Sequence, residues 1–332
     1  MSGTTGIHPA RRGSVRSRSA SKVSSLTLRQ VSAALPPDTG WGLWTSRRLI
    51  ARIMATFGPP LSGTRVERVD VRMADGRRVV GEWVRGPGVT EGERAIYYLH
   101  GSGFALCSPR THRRLTAWLS RLTGLPVFCI DYRLAPEHRF PAAANDVRAG
   151  WDWLCTERGL RPDRIVMAGD SAGGHLAVDL LLQPDVVHPA GLVLLSPLID
   201  LTFTLARTRE SLRPDPAIRV ADAARLVELY CGKVDVSHPR LNLDVAGGRR
   251  LPRTLIQAGG AEMLLADARS LDADIRAAGG RAELQVWPDQ VHVFQALPRL
   301  SPEAVPAMQQ AAGFISESLR CDTNEETVEV AG

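Results

Sequence analysis

The chain has 332 residues, of which 44% are hydrophobic and 23% are charged, so its composition is that of a globular protein. Six of its 41 basic residues lie within the first 30 positions, which contain no acidic residue, and the remaining chain has 35 basic and 35 acidic residues. The net charge of +6 therefore belongs to a basic leader, which argues against a nucleic-acid-binding face on the folded domain. No run of 18 apolar residues occurs, and we expect no transmembrane segment.

The first 25 residues are rich in Ser and Arg and poor in apolar side chains. Such a segment buries too little surface to offset the entropy lost on ordering, and we expect residues 1–25 to be disordered. No apolar stretch follows the arginines, as a secretory signal would require, and the five scattered cysteines are typical of reduced thiols. We therefore predict a cytoplasmic protein. We expect the acidic segment 321–332 to be a disordered tail.

Two stretches with helical character follow the leader, at 26–35 and 41–57. The second ends at Gly58, which two prolines follow, a strong helix stop. An amphipathic helix can anchor a protein to a membrane surface, but one of this length more often packs on its own protein. Its predicted apolar side consists of Trp44, Leu49, Ile53 and Phe57.

From residue 64 onwards the hydrophobic period changes to that of strands. Alternating segments at 65–73 and 77–85 flank the turn Asp75-Gly76 and predict an antiparallel hairpin. Continuous apolar runs of strand length then alternate with helical segments, which indicates a parallel sheet covered on both faces. We predict a doubly wound α/β protein that opens with a hairpin. The apolar runs are AIYYLH, PVFCID, RIVMAGD, GLVLLSP and TLIQAGG, and the helical segments are 110–123, 141–158, 171–182 and 266–279.

Residues 200–250 interrupt this alternation, because they contain charged helix-like pieces and three prolines but no apolar strand run. We interpret them as an insertion over the carboxyl ends of the strands, where open α/β sheets bind ligands. Together with residues 26–60 they are expected to form a cap on a single domain that spans residues 26–320.

The strand-to-helix junction at 169–173 has the sequence Gly-Asp-Ser-Ala-Gly, the pattern G-x-S-x-G. A nucleophile elbow needs a serine on a turn so sharp that the residues two before and two after it, here Gly169 and Gly173, must lack side chains. The pentapeptide alone is weak evidence, since an ordinary strand-to-helix turn can have the same sequence. Its position between an apolar strand and an apolar-periodic helix makes Ser171 the candidate nucleophile.

A second loop of small residues, His100-Gly101-Ser102-Gly103-Phe104, follows the strand-like run AIYYLH. Small residues after a strand allow backbone N–H groups to point at one place, as a developing oxyanion requires. A glycine turn that only closes a strand is the simpler interpretation of this loop by itself. A nucleophile elbow two strands later makes it the expected partner loop.

Three motifs in this order, HGSGF (100–104), DYRLAPEHRFPAAANDV (131–147) and GDSAGG (169–174), resemble those of the hormone-sensitive-lipase-like carboxylesterases, bacterial family IV. The resemblance extends from about residue 40 to residue 320. It implies an α/β-hydrolase fold with a helical cap and ester substrates of short to medium acyl length. It also implies an oxyanion hole formed by the N–H groups of Ser102, Gly103 and Ala172. The remaining motif residues, for which it implies structural roles, are His100, Gly101, Gly169, Asp170 and Gly173.

Triad members on this fold follow in the order Ser, acid, His, and of the eight histidines only His292 lies beyond residue 238. His292, in the loop after the last strand-like run, is therefore the candidate base. Glu262, just after the preceding strand-like run, is the candidate acid, at a spacing from the base that is similar to the family's. Its competitors are Asp267, which we place in the first turn of the next helix, and Asp289, on the same loop as His292.

Two positions depart from the family's usual pattern. The usual first motif is HGGG, and Ser102 replaces one of its glycines. Only the N–H group is needed there, so a small side chain is tolerated if its φ stays in the region of L-residues. Its hydroxyl group either narrows the pocket or adds a donor. The usual Asp-Pro-Leu around the acid is Glu262-Met263-Leu264 here, and Glu can hold the imidazole tautomer as Asp does.

The residues and the resemblance together predict a serine carboxylesterase that acts on small-molecule esters through a Ser171–His292–Glu262 triad and an acyl-enzyme, without metal or cofactor. An amidase or deacetylase on arylacetamides or acetylated small molecules would use the same triad. A ligand receptor on this fold typically lacks the histidine, so His292 argues against that alternative. A nucleic-acid or membrane-surface binder would act through the basic leader. The sequence leaves a homodimer open, because no interface can be identified from it.

Overall fold

The computed structural model describes residues 12–27, 29–30 and 34–321 of the chain. Its centre is an eight-stranded sheet with the order β1-β2-β4-β3-β5-β6-β7-β8. β1 and β2 pair antiparallel, as do β2 and β4, and all other neighbours are parallel. The predicted α/β fold with an amino-terminal hairpin is confirmed. The strands are Arg65–Arg72 (β1), Arg78–Arg85 (β2), Ala95–Leu99 (β3), Val127–Ile130 (β4), Ile165–Asp170 (β5), Gly191–Leu195 (β6), Thr254–Gly259 (β7) and Ala282–Trp287 (β8).

Helices cover both faces of the sheet, because its parallel strands are joined by crossover connections. Every residue of β3 to β7 is buried, as expected for strands that are covered on both sides. No helix in the described part of the chain is long and apolar enough to cross a membrane. The helices in that part are Val15–Leu26 (α1), Gly40–Phe57 (α2), Pro109–Thr123 (α3), Ala142–Thr156 (α4), Ala172–Leu182 (α5), Thr204–Leu212 (α6), Val220–Cys231 (α7), Leu265–Ala277 (α8) and Ala304–Cys321 (α9).

Successive residues of each strand enter opposite halves of the core. On β3, Tyr97 belongs to the larger of two apolar clusters and Tyr98 to the smaller one. Both hydroxyl groups are satisfied inside the protein, because Tyr97 donates to the carbonyl oxygen of Val147 and Tyr98 to Asp170, each at 2.8 Å. The second bond connects the middle of the sheet to the residue that precedes Ser171.

The amino-terminal segment differs from the expected disorder. Residues 15–25 belong to α1, whose first turn is capped by Ser14, and the Ser14 Oγ atom accepts the N–H of Ser17 at 3.2 Å. Both serines also bind the carboxylate of Glu303. The prediction was wrong for these residues because it considered only apolar burial, whereas polar bonds to the domain hold this helix. The structure does not describe residues 1–11, the tail 322–332, or residues 28 and 31–33 of the helix expected at 26–35.

Two other helices also differ from the predicted pattern. The predicted apolar side of α2 included Trp44, but this residue is 55% exposed. The helix faces the core with Leu43 and Ile50 instead, so its buried stripe begins one residue earlier than expected. Helix α9 was not predicted at all, and it packs Met308 and Phe314 against the smaller apolar cluster.

Segments from both parts of the predicted cap contact loops at the carboxyl ends of the strands. In α2, the Arg47 Nε atom donates to the carbonyl oxygen of Ala105, after β3, at 2.8 Å. Between α6 and α7, the Asp215 carboxylate accepts the N–H of Met263, after β7, at 2.8 Å. Residues 200–250, all of which are described, contain two helices and no strand.

Candidate active site

Ser171 occupies the junction between β5 and α5 with φ 50° and ψ −122°, a conformation that L-residues avoid. The neighbouring backbone explains why glycines flank it. A Cβ atom on Gly173 would lie 2.0 Å from the carbonyl oxygen of Leu99, and one on Gly169 would lie 2.9 Å from the carbonyl carbon of Gly173. The turn is therefore strained and is held in place by its surroundings, as a nucleophile elbow requires.

Two hydrogen bonds fix the turn around Ser171. Its N–H donates to the carbonyl oxygen of Leu195 at 3.0 Å, and its own carbonyl oxygen accepts the N–H of Leu198 at 3.1 Å. Ser171 immediately precedes the first residue of α5, so it lies at the positive end of the helix dipole. A negative charge that develops on a group at this position is stabilised.

Glu262 and His292, which are 30 positions apart, are in direct contact, with 2.9 Å between His292 Nδ1 and Glu262 Oε2. A carboxylate can only accept, so the ring donates its Nδ1 proton and the Nε2 atom is left unprotonated and able to act as a base. The second carboxylate oxygen of Glu262 accepts the N–H of Gly259 at 2.9 Å. Because Glu262 is completely buried, water does not compete for these bonds, and the imidazole is held in one tautomer.

The pKa of His292 is raised above its ordinary value. Burial alone would lower this pKa, but the hydrogen bond that the ring donates to Glu262 and the negative charges of Glu262, Asp215 and Asp170 outweigh the burial. The surroundings therefore stabilise the imidazolium form, which a general base adopts after it has taken a proton.

Ser171 and His292 lie on loops at the same edge of the sheet. The N–H of Val293 donates to Ser196 Oγ at 3.1 Å, and Ser196 directly follows Leu195, which binds the N–H of Ser171. Among the described residues, no hydrogen bond joins the Ser171 hydroxyl to the His292 ring. In hydrolases without substrate this contact is often long, and it tightens when the substrate binds.

The loop after β3 lies against the elbow. A Cβ atom on Gly101 would lie 2.9 Å from Ser171 Cβ and 2.3 Å from Asp170 Oδ2, so a larger residue does not fit. Asp170 also accepts the N–H of Gly101 at 3.1 Å, which joins the two loops. The three predicted oxyanion donors have no hydrogen-bond acceptor within the described residues: they are the N–H groups of Ser102, Gly103 and Ala172.

Ser102 does not meet the condition that we set for it from the sequence. Its φ is 91°, outside the regions that L-residues favour, so the serine has the backbone of the glycine it replaces. The hydroxyl group lies 2.9 Å from the Sγ atom of Cys107, so it bonds to the protein. This contact was not predictable from the sequence, because the two residues are brought together by the turn between them.

His100, the first residue of this loop, stabilises it through contacts inside the protein. Its ring is fully buried and stacks on Tyr132, with 4.2 Å between the ring centres, and the Tyr132 hydroxyl donates to the His100 carbonyl oxygen at 2.6 Å. Burial, with a smaller effect from His112, lowers the pKa of His100 to about 3, so the ring is neutral. Within the described ranges, no group of three or more His, Cys, Asp or Glu side chains is arranged to hold a metal ion.

The two competing carboxylates have other partners. Asp267 lies in the first turn of α8, where its Oδ1 atom accepts two N–H groups of the loop after β6 at 2.9 Å each, and burial raises its pKa to about 7. Asp289 accepts the N–H of Gly13 at 3.0 Å. Of the three carboxylates weighed from the sequence, Glu262 is the one that contacts His292.

The sequence analysis missed Asp215. This buried carboxylate accepts two N–H groups of its own turn and the N–H of Met263, which directly follows Glu262. A residue of the predicted cap therefore fixes the loop that carries Glu262. The sequence around it, Pro214-Asp215-Pro216, contains two of the three prolines that indicate an insertion at residues 200–250.

The comparison with known proteins agrees with this geometry. A family model described as the alpha/beta hydrolase fold matches residues 96–296. The chain belongs to this family. A crystal structure of an esterase from the bacterial hormone-sensitive lipase family superimposes with a TM-score of 0.80 at 33% identity, covering 92% of this chain and 99% of the other. The predicted hormone-sensitive-lipase-like family is confirmed.

Two relatives from Mycobacterium tuberculosis are 38% identical to the chain. One is the carboxylesterase/phospholipase LipF, matched over 253 residues, which are 71% of this chain and 66% of LipF. The other is the esterase LipU, matched over 250 residues, which are 71% of this chain and 82% of LipU. The predicted enzyme class, the carboxylic ester hydrolases, agrees with both names.

Proposed function

We propose that the protein is a serine carboxylesterase that hydrolyses short- to medium-chain acyl esters, with Ser171 as nucleophile, His292 as general base and Glu262 as the acid that orients it. The observation that carries this proposal is the 2.9 Å contact between His292 Nδ1 and the buried carboxylate of Glu262, on a loop next to the strained Ser171. A nucleophile, a base and an orienting acid that follow three strands, β5, β8 and β7, at one edge of the sheet form the arrangement that acyl transfer needs.

The first half of the reaction acylates Ser171. The His292 Nε2 atom takes the hydroxyl proton as the Ser171 oxygen attacks the ester carbonyl carbon, and the carbonyl oxygen becomes an oxyanion. Glu262 stabilises the imidazolium formed in this step, and the raised pKa of His292 supports that role. The imidazolium then protonates the leaving alcohol as the bond between the carbonyl carbon and the alkoxy oxygen breaks.

The second half releases the acid. His292 takes a proton from water, the hydroxide attacks the acyl-enzyme, and the serine oxygen leaves with the proton that His292 returns to it. The proposed oxyanion donors in both halves are the N–H groups that lack an acceptor in the described part of the chain. Each such donor contributes about 10²–10³-fold to kcat in comparable sites. These donors belong to Ser102, Gly103 and Ala172.

Contacts between the predicted cap and the loop after β3, which contains Gly103, support the proposal of substrates with a short to medium acyl group. A Cβ atom on Gly103 would lie 3.1 Å from the Cβ atom of Leu226 in α7, so this cap helix closes directly over the loop. An acyl chain that is bound beside Gly103 therefore meets the cap within a few carbon atoms.

The experiment that tests the proposal is hydrolysis of p-nitrophenyl esters from C2 to C12 by the wild type, by Ser171→Ala and by Ser316→Ala. Ser316 is the matched control, because its hydroxyl group only bonds a carbonyl oxygen of its own helix. We expect turnover that peaks between C2 and C8, a loss of about 10⁴–10⁶-fold in Ser171→Ala and wild-type rates in Ser316→Ala.

Two results would contradict this proposal. Wild-type turnover by Ser171→Ala would show that another residue is the nucleophile. Folded wild-type protein that cleaves acetanilides but no ester would identify an amidase instead.

A further inference from the structure

Helix α1 is amphipathic, but its apolar side faces outward and its polar side faces the protein. Its outward side, at spacings of eight and three residues, carries Val15, Val23 and Leu26, which are 71%, 59% and 77% exposed. Its inward side carries Ser17, which is buried and bonded to Glu303. A helix that is stabilised by its own protein presents the opposite arrangement, with apolar residues inside and polar residues outside. The outward side of α1 is thus suited to a partner and not to water.

Helix α2 presents a second face of this kind. Trp41, Trp44, Arg48 and Arg52 follow one another at spacings of three and four residues, and all four are exposed. The two tryptophans are 59% and 55% exposed, and the Arg48 guanidinium lies 4.2 Å from the centre of the Trp44 ring. Exposed tryptophans combined with arginines are typical of the boundary between lipid headgroups and acyl chains.

Both helices are attached to the part of the molecule that holds the active site. The Arg16 side chain of α1 donates to the carbonyl oxygen of Arg299, and the N–H of Arg299 donates to the carbonyl oxygen of Phe57, at the end of α2. Just before α1, Gly13 binds Asp289, which lies on the His292 loop. A surface bound by these helices is therefore brought close to the edge of the sheet where Ser171 and His292 lie.

The charge of this region indicates the partner. Residues 1–66 contain ten basic residues and one acidic residue, Asp38, whereas the rest of the chain contains 31 basic and 34 acidic residues. Such a segment is attracted to an anionic surface, because each cation near a charged membrane strengthens the binding. Exposed Val and Leu side chains contribute nothing to phosphate contacts alone, but they gain from burial among acyl chains.

We propose that the outward faces of α1 and α2 form a docking surface for anionic lipid, which delivers esters from that surface to the active site. This inference rests on the proposed esterase function for its purpose but not for its test. Tryptophans and aliphatic side chains enter the headgroup boundary, and arginines bind the lipid phosphates.

The test measures binding of the full-length protein to vesicles by sedimentation. We expect vesicles of phosphatidylglycerol and phosphatidylcholine to bind the protein at least about tenfold more strongly than pure phosphatidylcholine, and we expect salt to weaken this binding. Trp41→Ala/Trp44→Ala and Val23→Ser/Leu26→Ser should each lower the binding at least about fivefold. Val187→Ser is the matched control, because Val187 is 65% exposed but lies outside both helices.

The same variants are assayed on soluble p-nitrophenyl butyrate, where all should remain within about twofold of the wild type, because they touch no catalytic group. If butyrate turnover is absent from every protein, the proposed function fails while the docking surface stands on the binding data. If turnover is normal but wild-type protein binds neither vesicle, or if the helix variants bind as the wild type does, the docking surface is refuted.

Two other occupants would also overturn the proposal. If the protein binds a DNA duplex as strongly as it binds anionic vesicles of the same total charge, the surface is a general polyanion site. A wild-type dimer that Trp41→Ala/Trp44→Ala converts to a monomer, without any vesicle binding, would assign this face to a second copy of the chain.

Discussion

The loops at the carboxyl ends of the strands and the amino-terminal helices α1 and α2 are built on opposite plans. In the loops, the side chain of Glu262 is completely buried, and each of its two carboxylate oxygens has a hydrogen-bond partner. In the helices, large apolar side chains such as Trp41 and Leu26 face outward, and serines and arginines make the attachments to the domain.

The two regions suit two different tasks, the precise positioning of catalytic groups and contact with a partner. A catalytic group must be held within a fraction of an ångström, and close packing with satisfied hydrogen bonds achieves this. A surface that meets a partner needs exposed apolar groups and few internal constraints. Substitutions in the loops should therefore change chemistry or folding strongly, whereas substitutions in the helices should leave the reaction on soluble substrates nearly unchanged.

After Ser171→Ala, the largest effect is expected for Glu262→Gln, because an amide no longer favours the productive imidazole tautomer. We predict a loss of kcat of about 10²–10⁴-fold on p-nitrophenyl butyrate. The wild type needs neutral His292, whose pKa is raised, so its activity should rise with pH and reach half its maximum above the ordinary pKa of a histidine. Without the carboxylate, burial lowers this pKa, and the acidic limb should move to lower pH.

Asp289→Asn is the control for that experiment, because Asp289 lies on the His292 loop but binds Gly13 instead of the ring. Its kcat should stay within about threefold of the wild type. A Glu262→Gln profile with an unchanged limb would show that Glu262 does not set the pKa of His292.

The next effect is on stability and comes from the packing of the elbow. Gly173→Ala places a Cβ atom 2.0 Å from the Leu99 carbonyl oxygen, so the backbone must move. We predict a loss in the free energy of unfolding of more than about 3 kcal/mol, measured by urea denaturation. Gly313→Ala in α9 is the matched control, since its Cβ would contact nothing within 4 Å, and it should stabilise the protein by up to about 1 kcal/mol. Equal stability of the two variants would contradict the close packing.

A smaller effect is expected at Ser102, whose φ of 91° suits glycine. Ser102→Gly removes the strain but also the bond to Cys107, so we predict a stabilisation of about 0.5–2 kcal/mol with turnover unchanged within about threefold. Ser102→Ala loses the bond and keeps the strain, and it should destabilise the protein by about 1 kcal/mol. Thermal unfolding of both variants checks this, and the opposite ranking would argue against backbone strain.

The smallest effect on chemistry is expected for Glu303→Gln, which weakens the attachment of α1 at Ser14 and Ser17. We predict that kcat on soluble esters stays within about twofold, while trypsin cleaves the chain faster after Arg18 or Lys22. A large loss of kcat would show that α1 takes part in shaping the active site.

The sequence predicted the elements that are determined by local pattern. The apolar strands were visible through their hydrophobic period, and the glycines around Ser171 through the steric demands of the turn, because both depend on neighbouring residues. The chain order of Glu262 and His292 was visible as well. The strained φ of Ser102 was not predictable, since it depends on contacts across the loop.

The amino-terminal helices α1 and α2 were predicted least well. Trp44 was placed on the buried side of α2 because hydrophobicity alone was used to assign the side, whereas the structure buries Leu43. Helix α1 was expected to be disordered because its segment is poor in apolar residues, and its anchor, Glu303, lies 289 positions from Ser14 in the sequence. A polar bond of that span leaves no pattern in the residues around it.

The central claim, that Ser171 is the acylated nucleophile of a serine esterase, is tested most directly by covalent labelling. The wild-type protein is treated with a p-nitrophenyl alkylphosphonate, and the labelled peptide is identified by mass spectrometry. We predict one adduct per chain, on Ser171, with loss of esterase activity in proportion to labelling, and no adduct in Ser171→Ala. An adduct on another residue, or full activity after complete labelling of Ser171, would contradict the account.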